Sequence, residues 1–435
     1  MPIEIAKLIP TLRTSGKIAP DTINHAQLLN IVNQISNEAI SILPKKRSGF
    51  SYETLIYVQL YAQLTGLSPK QATQNLQHRW KGYEHIFQSF QTSEFINQKR
   101  RRAIPDQPTL CRFKKRIANR NIAENFTNIL LWGQFLYTLR SNLIGKALTL
   151  IADYNDEPCK ANPEDPYCFG TKDGKFVNRT LVFSILSGDL HLVIATFKIK
   201  KNQDKLPFFE EIINKFHAYD IEILYLLLDR GFYRKNLLER CKQWRINVIM
   251  PGRKCTASTK KIRMWLQDKE ERRGNFLLPL RYVRDVGQRQ LSMDIILYGK
   301  KGHTLSEVKR DFKSGLISQE TASKRVFPLL FIRGNNKGVT RVKGSETYIR
   351  GLYRKRWSIE IAFRTVHRIG IGSSAHCRDI RLLDFGSKCF IYNQWQISRG
   401  IQSMVSSCAE VLSLKEFCGR LSLNRSLWCL KDVSS

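Results

Sequence analysis

The chain has 435 residues, enough for two or three folded units, and its Lys and Arg outnumber Asp and Glu 71 to 37, a formal charge of +34 at pH 7. Solubility does not require such an excess; it indicates a polyanionic partner, because each phosphate neutralised by Lys or Arg releases condensed counterions, and nucleic acid is the expected class. No stretch approaches the roughly 20 apolar residues that cross a bilayer, and the opening "MPIEIAKLIP" lacks the charged-then-apolar profile of a secretory signal, so an intracellular protein without membrane contact is expected.

Up to about Gly145 the pattern is helical. "SYETLIYVQLYAQLTGLSPKQATQNL" predicts a helix ending at Gly66 and a second one capped by Ser68 with Pro69 at its first position. Helix, short turn and helix is the outline of a DNA-reading module, and also of an ordinary helical hairpin. In "NQKRRRAIPDQPTLCRFKKRIANR" a helix would put Leu110, Phe113 and Ile117 on one face and Arg112, Lys115 and Arg116 on another, where they can meet phosphate next to the Arg100, Arg101, Arg102 run.

From Lys146 the texture changes. "ALTLIADYND" is an apolar run ending in acids, and "TLVFSILSGDLHLVIATFKI" reads as a hairpin turning at Ser187, Gly188 and Asp189. A helix around Phe208 to Phe216 precedes the buried strand of "IEILYLLLDRGFY", halted by Asp229 and Gly231, and "INVIMPG" supplies a further strand. A hairpin followed by strands alternating with helices predicts a mixed α/β sheet flanked by helices. Between Arg253 and about Gly344, the short strands "LPLRYVRDV", "QLSMDIILYG" and "VFPLLFIRG" alternate with basic loops and one helix-like piece, "TLSEVKRDFKSGLISQETASKR", as in a β-rich insertion. The expected division is a helical N-terminal DNA-binding domain over 1–145, a catalytic domain over 146–253 and 345–400, the insertion over 254–344, and a helical tail over 401–435. The ten cysteines form no CxxC pair and read as reduced thiols, mostly buried.

Two acids stand where buried strands are expected to end: Asp153 closes "LTLIAD" and Asp229 closes "LYLLLD". In open sheets ligands gather at the strands' carboxyl ends, and carboxylates beside such apolar runs need a partner, a hydrogen bond or a metal. An Asp after a strand also commonly starts a turn. Asp156 and Glu157 follow closely and are alternative ligands, with Asp153 preferred because a strand end is rigid. Further on, "YRKRWSIEIAFRTVH" places one carboxylate, Glu360, in an aromatic and basic segment. At about 100° per residue, Tyr353, Arg356, Glu360 and His367 share one stripe of a helix, beside an apolar face of Leu352, Ile359, Phe363 and Val366. A plain Arg356 to Glu360 pair on a solvated face is the simpler alternative, but it leaves Tyr353 and Trp357 unexplained. Trp357 either stacks on an unpaired base or packs in the core. Trp265 and Tyr282 are weaker stacking candidates.

Tyr353, Arg356 and Glu360, in "YRKRWSIEIAFR", resemble the Y-R-E-K signature of cut-and-paste insertion-sequence transposases typified by insertion sequence 4. The resemblance spans about Lys146 to Gly372 and follows the family order: an Asp after a strand, a second Asp after a later strand, a β-rich insertion, and a Glu on a helix. It implies an RNase H-like catalytic domain in which Asp153, Asp229 and Glu360 are the catalytic, metal-binding triad for two Mg²⁺ or Mn²⁺ ions. Tyr353 and Arg356 would contact DNA near the element's end, with Trp357, Arg364, His367, Arg112, Lys115 and Arg116 as further DNA contacts. His367 departs from the signature, which has Lys there; a neutral imidazole can hydrogen-bond a phosphate but lacks a full charge, which Arg364 or Arg368 could supply. The implied protein is a prokaryotic, nucleoid-associated, cytoplasmic DDE transposase acting on double-stranded DNA as a homodimer. It would cut at element ends and join the 3′-hydroxyl to target DNA. A stand-alone nuclease or resolvase of the same fold and a catalytically inactive DNA-binding derivative are the alternatives.

Overall fold

The structure, a computed structural model, describes residues 39–43, 50, 52–79, 105–160, 162, 164–252, 256–269, 273–283, 287–300, 302–334, 345–370, 373, 375, 377–405 and 413. These residues fall into two compact units: a first of 1–145, 154–203 and 360–435, and a second of 146–153 and 204–359. Arg100, Arg101 and Arg102, and the tail beyond Val405 apart from Ser413, lie outside the described residues.

The first unit begins with helices, as the periodicity predicts. α1 (Tyr52–Thr65) stops at Gly66 and α2 (Pro69–Arg79) follows. Ser68 and Gln71 form a reciprocal cap, with Gln71 N–H donating to Ser68 Oγ at 3.3 Å and Ser68 N–H donating to Gln71 Oε1 at 3.1 Å. α3 (Gln107–Asn119) is capped by Asp106, and α4 (Ala123–Arg140) follows it. Leu110, Phe113 and Ile117 of α3 are buried, while Arg112, Lys115 and Arg116 face solvent. Strands β2 (Cys168–Gly170), β3 (Phe176–Ser187) and β4 (Leu190–Lys198) complete the unit together with the end of β1 (Ala147–Pro158). β3 and β4 are the expected hairpin, and their two-residue turn needs the positive φ of +59° at Gly188. α12 (Arg378–Val405) packs on α4 and β4. Gly386 permits that approach, because a Cβ there would lie 2.1 Å from Thr127 Cγ2 of α4.

The second unit carries the start of β1, then α5 (Leu206–Ala218), β5 (Glu222–Leu228), α6 (Lys235–Gln243), β6 (Asn247–Pro251), α7 (Thr256–Leu266), β7 (Arg273–Val283), β8 (Gly287–Gly299), α8 (Leu305–Lys313), α9 (Gln319–Arg325), β9 (Val326–Ile332) and α10 (Glu346–Lys355). β1, β5 and β6 are parallel and read as near-continuous apolar runs, as strands covered on both faces do. β9 pairs antiparallel with β6, β8 with β9, and β7 with β8. The strands of 254–344 therefore extend the sheet outward from β6. The helix-like piece in that segment is two helices, α8 and α9, separated by a turn with Gly315 at φ +78°, and α7 is a helix where only loop and strand were expected.

Along β1 the strand order is β4-β3-β1-β5-β6, a hairpin followed by parallel strands, and this is the order of an RNase H-like sheet. Two expectations need correction. β1 does not end at Asp153 but runs to Pro158, because β1 goes on beside β3, where Cys159 N–H donates to Phe176 O at 2.9 Å. The segment after Glu346 is not one helix: α10 ends at Lys355 and α11 (Trp357–Arg368) begins after a joint at Arg356. There Arg356 N–H bonds Tyr353 O at 3.0 Å and Ile359 N–H bonds Arg356 O at 3.1 Å, the three-residue spacing of a 3₁₀ turn. Among the described residues no helix is long and apolar enough to cross a membrane.

Candidate functional site

In the second unit the register of β1 and β5 brings two of the expected acids together. The last register pairs are Ile151 with Leu227 and Ala152 with Leu228, so Asp153 and Asp229 are the next residues on neighbouring parallel strands. Strands so paired lie about 4.8 Å apart. Asp153 stands where pairing to β5 stops, which serves the same purpose as a strand end. Asp229 opens a 3₁₀ turn (Arg230–Phe232), its carboxylate accepting from Gly231 N–H at 3.4 Å, so it has the turn role as well.

α10 delivers an aromatic and a cation to these acids. It packs on β6, and Tyr298 of β8 donates its hydroxyl to Glu346 O at the first turn of α10. Arg356 Nη1 lies 2.5 Å from Asp153 Oδ2, with the two side chains only 8% and 14% exposed. The guanidinium also sits 5.8 Å from the Tyr353 ring centre. Tyr353 is buried and its ring is 6.2 Å from Phe327. Its hydroxyl is pushed up to about 12, chiefly by burial and further by the Asp229 and Asp153 carboxylates, against the lowering effect of Arg356. Tyr353 is thus protonated at neutral pH and able to donate a hydrogen bond. Two oxygen-donor carboxylates beside a site that already holds a cationic group suit a hard divalent ion. Among the described residues, no three His, Cys, Asp or Glu side chains are gathered into a ready-made metal site.

The remaining expected residues divide by exposure. Trp357 is 61% exposed, which removes the core-packing alternative, whereas Trp265 is buried with Lys309 Nζ over its ring at 5.3 Å. The Tyr282 side chain lies outside the described residues. Arg364 and Arg368 on α11 are exposed, and Glu360, in the first unit, is half-buried. On the expected apolar face, Leu352, Ile359, Phe363 and Val366 are all buried. His367 Nε2 lies 2.9 Å from Asn155 Oδ1. Burial, aided by the Lys388 charge, holds the imidazole below its ordinary value, so it is neutral at pH 7 and donates from Nε2 to the amide oxygen.

Of the alternative ligands, Asp156 is held by a bidentate Arg179 fork, both contacts 2.7 Å. The Glu157 carboxyl is pushed up by burial, opposed by Arg381 and Lys388. Arg179, Lys198, Arg378 and Arg381 line a small hollow in the first unit. No local pattern announces it, because these cations are scattered over about 200 residues. Lys198 pairs with Asp379 at 2.5 Å and Arg378 with Asp165 at 2.8 Å. The Arg381 guanidinium donates to Ala375 O and Pro158 O. Of the six described cysteines, Cys168, Cys241 and Cys389 are buried, Cys111 and Cys159 partly so, and Cys377 is exposed.

Among solved structures, the piggyBac transposase synaptic complex with hairpin DNA matches at 11% identity and a TM-score of 0.47, covering 100% of this chain and 83% of that one. The Drosophila P element transposase strand transfer complex matches at 8% identity and a TM-score of 0.24, over 91% of this chain and 99% of that one. Both scores are too low for structural likeness to carry the assignment. No curated protein sequence matches the chain significantly. The transposase DDE domain family model matches residues 160–383, just over half of the chain, taking in Asp229 and Glu360 and beginning just after Asp153. On that sequence match, the chain belongs to the transposase DDE domain family.

Proposed function

We propose that the protein is a cut-and-paste DNA transposase in which Asp153, Asp229 and Glu360 hold two divalent ions. The observation that supports this most directly is the strand register that sets Asp153 beside Asp229 at the point where β1 leaves β5, in a chain of the DDE family. Mg²⁺ or Mn²⁺, when bound, would lower the pKa of the attacking water or hydroxyl and stabilise the leaving oxygen. The residues of the chain then have separable tasks. The three carboxylates supply hard oxygen ligands from within β1, from the end of β5 and from the first turn of α11. Tyr353, as a protonated phenol, donates to a phosphate oxygen, and Arg356 supplies a fork for the same backbone. Trp357, exposed beside them, offers a stacking face to an unpaired base. Arg364 supplies the charge that neutral His367 lacks, and Arg112, Lys115 and Arg116 hold duplex DNA through its phosphates. The reaction would cut at element ends and pass the freed 3′-hydroxyl to target DNA, with a homodimer pairing two ends.

Asp229→Asn and Asp153→Asn test the reading. Each is expected to lower Mg²⁺-dependent strand cleavage by about a hundred- to a thousandfold, as loss of a principal charge-stabilising group does. Duplex binding at moderate salt should persist in both. Cleavage that survives either change at wild-type rate refutes the assignment. Strand transfer on precleaved ends separates a transposase, which joins them, from a nuclease, which only hydrolyses.

A further inference from the structure

We propose that the Arg356 guanidinium is a resident counter-cation of Asp153 that a divalent ion displaces, so that metal loading frees Arg356 to grip a DNA phosphate. The inference rests on the Asp153 and Asp229 carboxylates of the site proposed above.

The Arg356–Asp153 contact, 2.5 Å with 8% and 14% side-chain exposure, is desolvated. Either charge left alone there would be strongly unfavourable, so one cation can leave only as another arrives. A guanidinium on Asp153 Oδ2 also stands where a cation bound to that oxygen must stand, so the two occupants compete. Arg356 departs from the joint between α10 and α11 rather than from within a helix, so its side chain can be redirected without unwinding either one.

Charge counting gives the consequence. Asp153, Asp229 and Arg356 together carry a net negative charge that repels a phosphate. Replacing the guanidinium with a divalent ion neutralises the carboxylates, and the released Arg356 adds a positive charge at the rim. Metal and DNA therefore favour each other's binding, and by linkage the coupling is reciprocal. Before metal arrives, Arg356 keeps the site closed to DNA backbone.

The test uses the full chain with Mn²⁺ as the probe, free Mn²⁺ being measured by electron paramagnetic resonance, and a mixed-sequence duplex in an anisotropy titration. Arg356→Gln should bind Mn²⁺ about tenfold more tightly than wild type, because the competitor is gone. Mn²⁺ should tighten duplex binding by wild type severalfold and by Arg356→Gln hardly at all. Unchanged or weaker Mn²⁺ binding in Arg356→Gln overturns the exchange. If Arg356→Gln does not fold without metal, Arg356→Lys takes its place: tighter Mn²⁺ binding than wild type supports the proposal and equal binding refutes it. Asp229→Asn separates the two levels. If it leaves Mn²⁺ binding intact, the two-carboxylate site itself is wrong; if it abolishes binding while Arg356 substitutions change nothing, only the exchange is wrong.

Discussion

His191 gives the protein a pH dependence of its own at the scale of a single residue. It is fully buried in the first unit, with Nδ1 3.0 Å from Tyr392 Oη and Nε2 2.9 Å from Ser184 Oγ, and burial drives its pKa down to about 3. The folded pKa lies below the unfolded value of about 6.5, so the unfolded chain takes up a proton that the folded chain refuses. Stability from this group is complete above pH 6.5 and falls by about 1.4 kcal/mol per pH unit below it. Between pH 7 and pH 5 the loss should reach about 2 kcal/mol in urea denaturation. His191→Gln should flatten that slope, and an unchanged slope would show that other groups set it. His367 behaves in the same direction, its imidazole also held neutral. Sequence spacing could locate His367 but not settle its charge, which depends on burial and on Lys388, 21 positions further along the chain.

Among elements, β4 shows how an edge strand is closed. It pairs with β3 on one side, and helix side chains bond several of its other backbone groups. Asn393 of α12 accepts from Val193 N–H at 2.9 Å and donates to Val193 O at 2.7 Å, and Asn128 of α4 accepts from Thr196 N–H at 2.7 Å. Asn393→Ala would leave two buried backbone groups unsatisfied and should cost about 2–4 kcal/mol in chemical denaturation. A loss under about 0.5 kcal/mol would mean that water takes its place. Asn393 was not recognisable as functional or structural from its neighbours in sequence, since the partner strand lies 200 residues away. The helical stripe through Tyr353, Arg356, Glu360 and His367 was readable as a period but not as a joint. Three residues per turn at Arg356 instead of 3.6 is a local choice that lets the guanidinium reach Asp153.

For the whole molecule, the formal charge of +34 would make the proposed DNA binding a salt-dependent equilibrium. If exposed Arg112, Lys115, Arg116 and Arg364 each neutralise one phosphate, changing all four to Gln should reduce the slope of log affinity against log salt by roughly 3 to 4. An unaltered slope would place the DNA on other cations. The charge excess, the helical start, the hairpin at Gly188 and the apolar runs of β5 and β6 were all determined by the sequence itself, because composition and short-range periodicity report burial and turn geometry directly. So was the short list of acids. Tertiary structure alone decided that β1 continues past Asp153, that β9 extends the sheet from β6, that Asp156 belongs to Arg179, and that Arg356 rests on Asp153. Each of these depends on which distant strand or helix supplies a partner. Periodicity within one segment carries no information about the charge or hydrogen bond waiting 20 to 200 residues away.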